Sequence, residues 1–274
     1  MSSAHAQKRA GAAQAKKVEY AKGPTGKTPG ACGAKILPLV EGNQWTYGFV
    51  ASGTEPPPEL VKLLPSEPGT IIITVKSIEA KGDETVVHLE EKTTADISKD
   101  PKKHVLDERT INSTITCSKT KFEISPDSFF FAGEPGGYFG IAFDQFERPK
   151  DTTWKLAAGV ISDSAWREDI VAHFTRTAFV GSGAKLDSGK LELERKFQPA
   201  QPESVNTKIG LYTLAEKLAI TITGRVTLDH QTDPKPSDLP ADWINFMWLY
   251  PNTGVVQVLN KFSHKYQLVD AQLK

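Results

Sequence analysis

The sequence is short of most of the features that mark a chain for a particular chemistry. Its 274 residues include two cysteines and two methionines. No apolar run approaches the roughly 20 residues that a membrane-spanning helix needs, so no transmembrane segment is expected. As the chain stands, no stretch carries the apolar middle of a secretory leader. Cys32 and Cys117 lack C-x-x-C spacing, which excludes a cysteine-built zinc or redox motif. They form one disulfide if the protein works in an oxidising compartment, and are otherwise two unrelated thiols. His88, His104, His173, His230 and His264 have no second ligand at a metal-binding spacing. Gly-x-Ser-x-Gly and His-Glu-x-x-His are both missing. The glycines between 133 and 140 do not run from a strand into a helix, so they make no phosphate cradle. Glu168 and Asp169 are adjacent and would point to opposite faces of a strand, which makes them a poor acid/base pair. The expectation is a protein that is not an enzyme and needs no cofactor or metal.

What is present is ordinary in amount and uneven in placement. The chain is 39% hydrophobic and 24% charged, as a soluble globular protein is. The formal charge is zero, but residues 1–35 carry seven Lys and Arg against the single Glu19, a net +6 that leaves −6 on the rest. A basic arm on an acidic body is suited to an anionic polymer or a membrane surface. This arm lacks aromatics for base stacking and has no dense arginine cluster, so it reads as a solvated linker and no nucleic acid is expected. Residues 1–34 have only Val18 and Tyr20 as sizeable apolar groups and are expected to be a disordered basic tail. Residues 35–274 are expected to form a single β-rich domain. Ala4-His5-Ala6 before Gln7 resembles the small-residue end of a cleaved leader, which points to a periplasmic or secreted protein. Oligomeric state is left open by the sequence.

Strand signals follow one another through the body. They cover Gln44–Val50, a hairpin over 70–93 turning at Gly82-Asp83, Arg109–Cys117, Lys121–Ser125 and Ser128–Phe131. Arg167–Val180 and Lys190–Phe197 form the next pair, with Leu191, Leu193 and Phe197 alternating with Glu192, Glu194 and Lys196. The strictest alternation runs from Ile220 to Leu228 with Gly224 on its apolar face. Val255–Phe262 and Lys265–Ala271 close the chain. Residues 56–65 (PPPELVKLLP) read as a short helix or loop. Hairpin-length connections imply antiparallel pairing, and so many strands must curl or pack on themselves. The expected fold is all-β: one large twisted antiparallel sheet, a half-barrel or a sandwich, with one or two short helices.

Leu37–Tyr47 reads LPLVEGNQWTY. Gly42-Asn43 suits a tight turn that launches a strand. Trp45 and Tyr47 lie two apart and share a face, where they serve best as a core plug. Pro38, Leu39, Gly42, Asn43, Trp45 and Tyr47 match the Pro-Leu-x-x-Gly-Asn-x-Trp-x-Tyr opening of a group of uncharacterised bacterial secreted proteins and lipoproteins. Thr253–Val256 and Tyr266–Val269 are similar to the closing hairpin of the same group. The resemblance implies an envelope protein built on a large curved antiparallel sheet, comparable in some members to the outer-membrane lipoprotein carriers. Cys32 departs from a lipid-modified cysteine because no apolar stretch precedes it.

Two aromatic segments remain. Phe129, Phe131, Tyr138, Phe139 and Phe143 crowd one irregular stretch within 132–151 and its approach. Trp243, Phe246 and Trp248 crowd a second, after the proline-rich loop 234–240. Segments this apolar must bury against something. They are ordinary caps on the ends of a sheet, or they line an apolar pocket on its concave face. The function expected from these features is non-catalytic binding of an apolar or lipid-like ligand in the envelope, with an interaction scaffold lacking a pocket as the alternative.

Overall fold

The computed structural model describes residues 21–33, 35–51, 69–96, 102–118, 122–125, 128–132, 141–147, 164–176, 187–229, 235–238, 243–260 and 264–274. Thirteen strands follow in chain order: β1 (Gln44–Ala51), β2 (Thr70–Lys81), β3 (Glu84–Asp96), β4 (Leu106–Cys117), β5 (Phe122–Ile124), β6 (Ile141–Glu147), β7 (Trp166–Arg176), β8 (Asp187–Thr207), β9 (Gly210–Leu228), β10 (Ser237–Asp238), β11 (Trp243–Tyr250), β12 (Gly254–Leu259) and β13 (Lys265–Gln272). A single helical turn, α1 (Phe129–Ala132), sits between β5 and β6. The strands form one open antiparallel sheet in the order β5-β4-β3-β2-β1-β13-β12-β11-β9-β8-β7-β6, with β10 beside β9. The expected all-β architecture is therefore the one observed.

Period-two alternation gives the sheet one apolar face. Ile71, Ile73 and Val75 in β2 are fully buried, as are Leu218 and Ile220 in β9, while the intervening residues are less so. The sheet nonetheless divides into two halves. β1 pairs with β13 over most of its length, but β12 pairs with β13 only across Gln257–Leu259 and Lys265–Gln267. Upstream of that contact the halves part, and the carbonyls of Thr253 and Val255 are taken by side chains. The Trp45 indole N–H donates to Thr253 O at 2.6 Å, and the Tyr47 hydroxyl donates to Val255 O at 2.9 Å. Both aromatics are fully buried.

The motif residues of the first strand hold this joint from the other side. Asn43 is fully buried; its amide donates to Pro38 O at 2.7 Å, and its Oδ1 accepts from the Lys274 backbone N–H at 3.0 Å. Gly254 has φ +97°, and a Cβ there would fall 2.9 Å from Leu37 Cδ1 and 3.3 Å from Trp45 Nε1. Only glycine meets both demands. The opening and closing motifs, more than 200 residues apart, thus form one packed node.

Several elements differ from what the sequence suggested. The tail expected over 1–34 is ordered from Ala21 onward, and residues 1–20 lie outside the described residues. Gly23 N–H donates to Leu211 O, Gly26 N–H to Asn252 O, and the N–H groups of Lys27 and Thr28 both donate to Lys274 O. Main-chain hydrogen bonds need no apolar side chains, so composition concealed this strap. Its end is fixed by a disulfide between Cys32 and Cys117 in β4. Ser128–Phe131 is not a strand: the chain turns inward at α1 to bury Phe129 and Phe130. The buried Glu91 accepts from Ser113 Oγ, Ser128 Oγ and the Phe129 N–H at 2.5, 2.6 and 2.7 Å, so a carboxylate inside the sheet caps that turn. β6 and β11 are strands, each with one register shift against a neighbour, where irregular segments were expected. Residues 198–219 extend β8 and β9 into a long hairpin that Pro199 and Pro202 had disguised. The segment 56–65 lies outside the described residues.

The node contains two buried phenols whose ionisation folding opposes. Burial, then the neighbouring Tyr212 and Glu91, push the Tyr47 hydroxyl well above its usual range. Burial, then Tyr250, push Tyr212 up to about 12. Above the usual tyrosine value of about 10 the unfolded chain loses these protons while the folded chain retains them. Stability is therefore fully present below pH about 10 and falls as pH rises toward 12. Chemical denaturation midpoints between those limits should show this loss, and Tyr212→Phe should flatten it.

Candidate functional site

The inner face of β6–β9 and β11 is a wall of cross-strand rows. One row is Phe146, Ala172, Leu191 and Val226; the next is Ile170, Leu193 and Gly224; a later one is Trp166, Phe197, Ile220 and Asn245. Between the last two lies a row with charge: Glu168 in β7 faces Arg195 in β8, which faces Ile222 in β9. Arg195 donates from Nε and Nη2 to Glu168 Oε2 at 2.9 and 2.5 Å. The two side chains are 0% and 2% exposed. The guanidinium stands 5.6 Å from the centroid of Phe197, and Phe197 stacks on Trp166 at 5.1 Å with planes 6° apart.

Burial along this wall is graded. Ile170, Ala172, Leu191 and Leu193 are buried, whereas Phe146, Trp166, Val226 and Leu228 at its margins remain partly exposed. The outer face of the same strands is ionic, with Arg167 paired to both Asp169 and Glu194 and Lys190 paired to Glu192. Adjacent Glu168 and Asp169 do point to opposite faces, one into the wall and one to the surface. The wall is thus apolar and aromatic with one fixed, buried ion pair.

The aromatic residues singled out from the sequence are distributed over both faces. Phe129 packs in the other half of the sheet, 4.8 Å from the Tyr47 ring and 6.1 Å from that of Tyr266. Phe131 lies in α1. By register, position 143 stands opposite Phe174 and position 243 opposite Ile222, both on the rows of the wall. Phe246 and Trp248 are on the outer face of β11. Lys217 Nζ sits 5.0 and 4.9 Å from their two rings, and Glu203 accepts from both Lys217 Nζ and the Trp248 indole N–H. Phe129 and Trp248 therefore do not line a common surface. Tyr138 and Phe139 lie outside the described residues.

Trp166, Glu168, Arg195 and Phe197 were missed as site residues, though a signal for two of them was present. In Lys190–Phe197 the apolar positions are Leu191, Leu193 and Phe197, and the odd-numbered Arg195 falls among them. Glu168 likewise shares a face with Trp166 and Ile170. A charged residue in the apolar phase of a strand is a buried charge, and it requires a partner.

No protein-family model and no curated protein matches the chain. Two solved structures resemble it. One is a candidate exported protein with a YmcC-like fold from Bacteroides fragilis NCTC 9343, with 12% identity, TM-score 0.45, and 87% of this chain and 99% of that chain covered. The other is a candidate lipoprotein from Parabacteroides distasonis ATCC 8503, with 13% identity, TM-score 0.42 and the same coverage. At these scores the likeness is distant.

Two substitutions test the wall as described. Arg195→Met leaves Glu168 buried without its cation and should cost about 3–5 kcal/mol, whereas Arg195→Met combined with Glu168→Leu should recover most of that. Urea denaturation of the three variants measures it, and a neutral Arg195→Met would show that the pair is not buried. At Gly224 a Cβ would lie 2.3 Å from Glu192 O and 3.0 Å from Leu193 Cδ2. Gly224→Val should destabilise by about 1–3 kcal/mol through overpacking, read from the same titrations.

Proposed function

We propose that this chain works outside the cytoplasm as a non-catalytic binding protein for an apolar or lipid-like ligand, held against the inner face of β6–β9. The observation that carries this reading is the wall itself: aromatic and aliphatic rows, partly exposed at Phe146, Trp166, Val226 and Leu228, around one buried ion pair. The compartment is supported by the Cys32–Cys117 disulfide, a bond that persists in oxidising surroundings. The absence of catalysis is supported by how the described interior polar groups are engaged. Glu91 caps α1, Asn43 ties the two ends of the chain together, and Glu168 holds Arg195.

Tryptophan fluorescence, titrated with a long-chain fatty acid and with phospholipid, tests the site. A saturable blue shift is expected that Trp166→Phe combined with Trp243→Phe abolishes and Trp248→Phe retains, because Trp248 lies on the outer face. Native mass spectrometry of protein purified from its own host should show a co-purified lipid. No spectral change together with no bound lipid would remove the ligand from this account, and a shift undiminished by Trp166→Phe combined with Trp243→Phe would move it off the wall.

A further inference from the structure

Among the described residues, β4 presents an open edge on the side away from β3. β5 covers it only from Ile115 to Cys117, and the pairing ends at Thr114. There Ser125 N–H donates to Thr114 O at 2.9 Å, and Thr114 N–H donates to Ser125 Oγ at 2.6 Å. The chain then turns inward to bury Phe129 and Phe130, and β4 from Leu106 to Asn112 pairs with β3 on one side and with nothing among the described residues on the other. Thr114 uses its main-chain groups on the β5 side. Alternation along an unbulged β3–β4 ladder therefore aims the N–H and C=O groups of Glu108, Thr110 and Asn112 outward as well. Their side chains, and that of Leu106, are exposed. An exposed strand edge is a template for another strand.

We propose that a second copy of this chain pairs with this edge, antiparallel, about a two-fold axis through Thr110. Charge and geometry select that register. An axis at Glu108 sets glutamate against glutamate, and one at Arg109 sets arginine against arginine, arrangements that destabilise cross-strand pairs. An axis at Ile111 or Asn112 brings Glu108 or Thr110 of the second copy against Thr114, whose edge groups Ser125 already holds, whereas an axis at Thr110 brings only Leu106, the first residue of β4, to that point. At Thr110 the two threonines exchange both main-chain hydrogen bonds, Glu108 faces Asn112 of the second copy twice, and no like charges meet. Arg109 is ion-paired with Asp107 of its own strand. This charged cluster guards the edge against indiscriminate pairing while leaving the one register open. A self-complementary patch of this kind is what a closed two-fold dimer requires.

Sedimentation velocity on the full chain, with and without salt, tests the proposal. The wild type should self-associate weakly, with monomer and dimer in concentration-dependent exchange. In the Thr110-centred register Asn112→Lys places a cation opposite Glu108 twice and Asn112→Glu places an anion there. The dissociation constant should fall about fivefold for the first and rise about fivefold for the second at low salt, with both effects fading as salt is added. Thr110→Pro removes a donor that the monomer does not use and should abolish association while leaving the melting curve unchanged. A chain that stays monomeric up to about 1 mM would overturn the proposal. So would a dimer whose affinity is the same in Asn112→Lys and Asn112→Glu.

Discussion

Two hydrogen bonds from aromatic side chains to main-chain carbonyls hold this fold at its weakest place. A sheet of thirteen strands cannot stay flat, and here it parts between β12 and β13 after three paired residues. Parting strands leave carbonyls that would be buried without donors, a cost comparable to the loss of a hydrogen bond each. Trp45 and Tyr47 supply the donors, and each fills the gap with a ring that packs edge-on against Phe130. Aliphatic side chains in the same positions would fill the volume and leave the carbonyls unsatisfied. The division of the sheet into two halves thus depends on residues that are apolar in body and polar at one atom.

The two halves handle interior polarity in different ways. In β1–β5 the buried carboxylate of Glu91 is consumed by a local task, holding the Phe129 N–H and the Ser128 hydroxyl that start α1 together with the Ser113 hydroxyl of β4. In β6–β9 the buried charges satisfy each other, Glu168 with Arg195, and the rest of the face is left apolar. That difference is what makes the second half the better candidate for contact with another molecule. It also explains why the ionic network of β7 and β8 lies on the opposite face, where solvent screens it and each pair contributes little.

Much of the fold was legible because alternation is a direct image of one-sided burial. Ile220–Leu228 reads correctly since its two faces meet different surroundings. Trp243–Tyr250 did not, because both of its faces are covered: Met247 and Leu249 enter the core, and Trp248 lies under Lys217 and beside Glu203. A strand buried on both sides loses its period and looks like an irregular apolar segment. The 198–219 hairpin was hidden for another reason. Pro199 faces the side of β8 that β7 no longer covers, and Pro202 falls within a register shift, two placements in which a strand tolerates proline. The ordered strap over 21–33 left one mark, Cys32, whose pairing with Cys117 the sequence held open, because the strap's other bonds are accepted or donated by its main-chain atoms. Of the candidate site, the aromatic content was visible and its distribution was not, since a two-residue period assigns faces only once the strand boundaries are known.

The node that joins residues 43–47 to residues 253–274 also governs when the structure can form. Trp45 reaches its acceptor across 208 positions, and Asn43 meets the Lys274 backbone across 231. A protein whose decisive contacts are this distant pays the loop-closure entropy before it gains the contacts, and it folds slowly. β1 has its second neighbour only when β13 has been made, so a nascent chain carries an unclosed edge until its last strand emerges. Until β13 has been made such a chain lacks its final structure, the condition in which a polypeptide can still be threaded through a narrow pore.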